Sequence, residues 1–241
     1  MRVDQTLVGS VRVDYAARGV GKTPLLREAE RLFQRYGIRT VWVTAVDGEN
    51  LAASILDELR KVLPKTKRLK ELVELIDSAT VTIGGGPVKA GVTLKPNQQS
   101  ASAAGKVFMS VVSDIAEAAR EEDGGGLVIL VDEIQAADKA SLRTIAVAWQ
   151  ELASAKNPPA AGLFTVGLPG SQDHITGAVT FGERFDFVEL FGIDDGGAAT
   201  ALQRPASELG VVWEEQAMRI GVAAAGLRRR EDAFTLRLSM A

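Results

Sequence analysis

The stretch that most constrains this chain is Val11 to Leu26, VRVDYAARGVGKTPLL. Val11, Val13 and Tyr15 alternate with Arg12 and Asp14, the period of two that a strand requires. Pro24 suits the first turn of a helix, where a missing N–H costs nothing. Between strand and helix lies Arg18-Gly19-Val20-Gly21-Lys22-Thr23. A GKT at the start of a helix that follows a strand is the setting of a phosphate-binding loop. The segment Ala17, Arg18, Gly19, Val20, Gly21, Lys22, Thr23 and Pro24 is therefore the candidate nucleotide-binding loop. Its backbone N–H groups and the helix N-terminus would face a polyphosphate, with Lys22 on its β/γ oxygens and Thr23 on Mg²⁺. The full signature, GxxxxGK[ST], carries a leading glycine where this chain has Ala16. If that position needs a left-handed backbone, alanine there costs roughly 1–2 kcal/mol.

A second motif answers the first. LVILV, Leu127 to Val131, is a continuous apolar run of the kind found in a strand covered on both faces of a parallel sheet. It ends in Asp132-Glu133, about 110 residues after the GKT. Ligands of open α/β sheets bind at the C-terminal edge of the strands, where both motifs would emerge. Asp132 is the candidate for the Mg²⁺ shell, and Glu133 the candidate general base for water attacking a γ-phosphate. Charge developing on the transferred phosphoryl group is commonly met by an arginine. Arg184, in GERFDFVEL, is the candidate, with a surface ion pair as its alternative. Thr165 and Thr180 are candidates for orienting the water, and Thr165 is preferred because it falls at an expected strand end. Gln135 reads as a support to the acidic pair. His174 reads as a surface or helix histidine.

The rest of the chain alternates the two kinds of element. Helices are expected over Thr23–Tyr36, Leu51–Leu63, Lys65–Asp77, Ala104–Glu122 and Asp138–Ala155, and strands over Val41–Thr44, Leu163–Val166 and Phe187–Leu190. Such alternation argues for an α/β parallel sheet. TVTIGGGPVKAGVTLKP alternates around a Gly-Gly-Gly-Pro turn and reads as a β-hairpin insertion over about 79–96. From Asp194 onward the pattern is helical, roughly 194–209 and 213–224. The chain thus divides into a core of 1–191 and a helical lid of 192–241 that reads as truncated.

Bulk properties narrow the partners. The formal net charge of −3 argues against a global nucleic-acid-binding field. The chain has no cysteine, which rules out disulfides and thiolate metal sites and fits a reducing cytoplasm. No apolar run reaches the roughly 18–20 residues that cross a bilayer. The N-terminus, MRVDQTLVGS, has no apolar signal core.

RGVGKT, LVDEIQ, GLPG, ERFDFVEL and LQRPASELGVVWEEQAM together resemble the AAA+ superfamily of P-loop ATPases, nearest to bacterial members with an origin-recognition-complex-like core. The resemblance implies a five-stranded parallel sheet in three layers with a small helical lid, and ATP and Mg²⁺ bound between them. It implies the same roles for Lys22, Thr23, Asp132 and Glu133 as the motifs do. It further implies that Arg184 reaches the site of a neighbouring subunit in a homo-oligomer. Ala16, and Ala17 where that group usually has proline, depart from its pattern. Arg228 to Arg230 stand where a lid arginine approaches ATP in some AAA+ proteins, or form an exposed basic tail. The expected function is ATP binding with Mg²⁺-dependent hydrolysis, coupled to a partner the sequence does not name or to a conformational change. The alternatives are a nucleotide-binding switch that hydrolyses little, and a DNA-associated module suggested by family analogy alone.

Overall fold

The computed structural model describes residues 9–63, 69–83, 98–179 and 185–224. Arg184, Thr180 and Arg228 to Arg230 lie outside them. So do residues 84–96 of the expected hairpin and residues 65–68 of the helix expected over Lys65–Asp77.

Five parallel strands form one sheet: β1 (Ser10–Tyr15), β2 (Arg39–Thr44), β3 (Leu127–Asp132), β4 (Ala161–Gly167) and β5 (Asp186–Glu189), in the order β2-β3-β4-β1-β5. Every residue of β3 is buried. Leu127, Ile129 and Val131 join one core cluster while Val128 and Leu130 join the other. A strand alternating between two dry faces must be apolar throughout, which is why LVILV has no polar beat.

Helix α1 (Lys22–Arg35) covers one face. Its Leu26, with Phe33 half-buried beside it, packs on Val128, Leu130 and Val166, whereas Leu25 and Leu32 are exposed. Arg27 stacks over the Trp42 ring at 3.7 Å, tying α1 to β2. On the opposite face lie α2 (Leu51–Lys61), α3 (Leu69–Ile83), α4 (Gln98–Asp123) and α5 (Lys139–Ser154). Phe108 of α4 and Trp149 of α5 meet at the centre of that layer, both fully buried.

Two devices fix these helices. Asp138 caps α5 by accepting from the Ser141 N–H at 2.9 Å, and its second oxygen accepts from the Leu51 N–H at 3.1 Å. One carboxylate thereby satisfies the starts of two helices. Asn50 caps α2 through Ala53 and accepts from the Ser141 hydroxyl. At the other end of the sheet, Arg39 donates to Asp123 at 2.6 Å, Glu122 at 2.7 Å and the Val62 carbonyl at 2.9 Å.

The expected strand over 79–83 is not formed. Those residues are the last turns of α3, in which Leu72, Ile76 and Ala79 are buried at helical spacing. The Thr80 hydroxyl donates back to the Ile76 carbonyl at 2.9 Å, the back-bond to the preceding turn that a threonine within a helix makes. TVTI thus closes a helix and does not open a strand. Helix α4 begins at Gln98, earlier than the expected Ala104.

The described residues form two compact units, one of 9–16 with 22–189, the other of 17–21 with 190–224. In the second, α7 (Asp195–Glu208) is capped by Asp194, which accepts from the Gly197 N–H at 2.7 Å. A further helix, α8, runs over residues 215–224. Trp213, between the two, donates its indole N–H to the Leu202 carbonyl at 3.1 Å.

Candidate functional site

The C-terminal edge of the sheet gathers the two motifs. β1 ends at Tyr15, and Ala16 is held by its N–H to the Gly167 carbonyl of β4 at 3.1 Å. Helix α1 then starts at Lys22, so Pro24 falls in its first turn, as its missing N–H suits. The loop turns on two glycines with left-handed backbone, Gly19 at φ 83° and Gly21 at φ 98°. Ala16 is not left-handed. It is 2% exposed, an ordinary buried residue at the strand end, so the backbone strain expected from alanine there is absent.

Lys22 and Asp132 are charged groups buried at this edge, 7% and 6% exposed. The Lys22 ammonium donates to the Ala16 carbonyl at 3.0 Å. The Thr23 hydroxyl donates to Asp132 Oδ2 at 2.8 Å, joining residues 109 positions apart. The other Asp132 oxygen accepts from the Glu133 N–H at 2.9 Å. Burial of an ionised group without partners is costly, so the shared bonds account for its presence there. Thr23 and Asp132, expected to share one ion, are thus in direct contact.

Glu133 adopts a left-handed conformation, φ 56° and ψ 41°, and is the one non-glycine residue with positive φ among the described residues. A residue in that region costs of order 1–3 kcal/mol and persists where its surroundings impose it. A single 3₁₀ turn, Ile134–Ala136, follows. It brings the Gln135 amide back against Glu133, to which Nε2 donates, and the Leu168 N–H donates to Gln135 Oε1 at 3.0 Å.

Thr165 is not at the strand end. β4 continues to Gly167, and Thr165 is 2% exposed with its hydroxyl donating to the Arg12 carbonyl at 3.3 Å. It faces a small apolar void beside Val13, Val131 and Ile145, and its hydroxyl is engaged there rather than presented at the edge. His174 is on the short helix α6 (Ser171–Thr176), where Nε2 lies 2.7 Å from the Ala137 carbonyl, a structural contact. Sequence reasoning named Gln135 but not its partner Leu168, nor Gly167. The signal available was GLPG, directly after an apolar strand.

Among the described residues no group of three or more His, Cys, Asp or Glu could hold a metal ion on its own, and no helix is long and apolar enough to cross a membrane. Hydroxyl and carboxylate oxygens, as at Thr23 and Asp132, are the hard donors that Mg²⁺ takes, usually with one or two carboxylates and with substrate phosphates completing its shell. The residues present fit that ion.

Comparison with models of known protein families gives no match, nor does comparison with curated proteins. Solved structures do match. A DNA replication initiation factor aligns over 97% of this chain at 13% identity with a TM-score of 0.50. The replication initiator DnaA bound to AMPPCP and single-stranded DNA aligns over 91% at 13% identity, TM-score 0.49. The ORC2 protein of Aeropyrum pernix, in ADPNP and ADP complexes, aligns over 84% at 16% identity, TM-score 0.49. The chain spans 58%, 53% and 47% of those three structures. By its strand order and by its likeness to the DNA replication initiation factor, the chain has an α/β fold built on five parallel strands, the fold that its resemblance to the AAA+ P-loop ATPases implies.

Proposed function

We propose that this protein binds ATP with Mg²⁺ and hydrolyses it. The observation that carries the reading is the 2.8 Å bond between Thr23 and Asp132, which brings the end of the GKT motif onto the acidic end of β3. Ala17 to Pro24 receive the phosphates: the backbone N–H groups of the loop and the start of α1 offer donors to an anion. Lys22, which rests on the Ala16 carbonyl, exchanges that acceptor for a β/γ oxygen. Thr23 and Asp132 hold the Mg²⁺. When bound, the ion neutralises charge on the triphosphate oxygens.

Glu133 then accepts a proton from water as the water oxygen bonds to the γ-phosphorus. The bond from that phosphorus to the bridging oxygen breaks, leaving ADP and phosphate. The resemblance also supports an arginine acting from a neighbouring copy, for which turnover followed against protein concentration is the readout. The DnaA structure holds single-stranded DNA; in this chain the net charge of −3 gives no support to DNA as an independent ligand.

Glu133→Gln tests the proposal. It removes the proton acceptor while keeping the shape, and general-base catalysis contributes roughly 10²–10⁴-fold. Phosphate release should fall by at least about 100-fold, with ATP still bound in a calorimeter. Equal release by the two proteins defeats the catalytic assignment. Failure of either to bind ATP defeats the whole reading.

A further inference from the structure

The Gln135 side chain joins two strand ends. A backbone N–H can only donate, so the Gln135 amide oxygen must face Leu168 and its nitrogen must face Glu133. The amide is therefore oriented by the main chain, and one Glu133 oxygen is oriented by the amide. The surroundings leave little freedom. A Cβ on Gly167 would lie 2.2 Å from Ser171 Oγ and 2.7 Å from Gln135 Oε1, so only glycine lets the amide sit there. Ser171 is fully buried and donates to the Leu168 carbonyl at 2.7 Å, fixing the loop whose N–H holds Gln135. In the sheet β4 lies between β3 and β1, so the amide ties Glu133 to the strand beside the one that leads into the GKT loop.

We infer that Gln135 is a positioning residue: anchored on Leu168 at the end of β4, it holds the Glu133 carboxylate in the orientation that accepts the proton of the attacking water. The inference rests on the hydrolytic reading above. A glutamate carboxylate has three side-chain torsions, and a misplacement of about 1 Å can cost on the order of 100-fold in rate.

The test uses the full chain and measures ATP turnover and ATP affinity together. Gln135→Leu should lower kcat roughly 10–100-fold with ATP affinity unchanged. Gln135→Met serves in its place if the leucine variant does not fold. Gln135→Glu keeps an acceptor for the Leu168 N–H but turns an oxygen towards Glu133, and should lose activity as the leucine variant does. In a Glu133→Gln background, Gln135→Leu should change single-turnover rates no further, because its effect passes through the carboxylate already removed. A purely structural role would lower the rate in both backgrounds. Turnover at or above the wild-type level in Gln135→Leu overturns the inference, as does an added loss in the double variant. If Glu133→Gln is impaired and Gln135→Leu is not, this inference alone falls. If Glu133→Gln is unimpaired, hydrolysis by Glu133 falls, and positioning with it.

Discussion

Replacing Ala16 by glycine would restore the leading residue of the phosphate-loop signature, and the structure says it should weaken the protein. The Ala16 N–H bonds to Gly167 and its carbonyl accepts from Lys22, bonds that glycine retains. What changes is the side chain and the unfolded chain. The methyl group is buried, Ala16 being 2% exposed, and losing one such group forfeits about 0.8 kcal/mol. Glycine at a backbone that alanine adopts without strain adds a further loss of roughly 0.4–1 kcal/mol through the freer unfolded state. The sum is about 1–2 kcal/mol, and for a domain of this size each kcal/mol moves Tm by roughly 2–4 °C. Thermal unfolding of Ala16→Gly, without nucleotide, should therefore show a Tm lower by roughly 3–6 °C, and ATP affinity should not improve. Were alanine forced into a left-handed turn, relief of roughly 1–2 kcal/mol would appear instead as a higher Tm. A stabilised Ala16→Gly protein, or one binding ATP tenfold more tightly, refutes the reasoning.

Thr23→Val keeps the shape of the side chain and removes the donor to Asp132. Hydrogen bonds to charged groups are worth about 1.5–3 kcal/mol, so denaturant titration should show a loss near the low end of that range, with Asp132 still bonded to the Glu133 N–H. The same variant should bind ATP with little dependence on Mg²⁺, measured by calorimetry with and without the ion. Asp138→Ala removes the acceptor for two helix starts at once, at about 1 kcal/mol for each cap. Chemical denaturation should record a loss of about 2 kcal/mol, against about half that for a variant of a residue capping one helix.

The parts of the site legible in the sequence were those written in short runs. The GKT of Lys22 and Thr23 and the acidic pair closing LVILV each declare a local structure, and parallel strands bring their ends to one edge. The fully apolar β3 was legible for the same reason: a strand dry on both faces has no polar positions. Ala16 was not, because the signature implies a backbone angle that only coordinates reveal. TVTI was misread because alternating β-branched residues fit the last turns of a helix as well as a strand, and Thr80 settles the matter with a bond to Ile76. Thr165 was placed at a strand end because apolarity fades at Gly167, although pairing with β1 continues to that glycine. The tether from Gln135 to Leu168 spans 33 residues and joins a side chain to a main-chain amide, which no pattern of residue types records.

The left-handed backbone at Glu133 bears on how its chemistry can be probed. Valine or isoleucine there would be disfavoured by the main chain itself. Absence of ATP turnover in either variant would report a misshapen turn, whatever the carboxylate does. Asparagine tolerates such angles and glycine is at ease in them, so these two, beside glutamine, are the controls in which a loss of the proposed turnover points to the missing acid group.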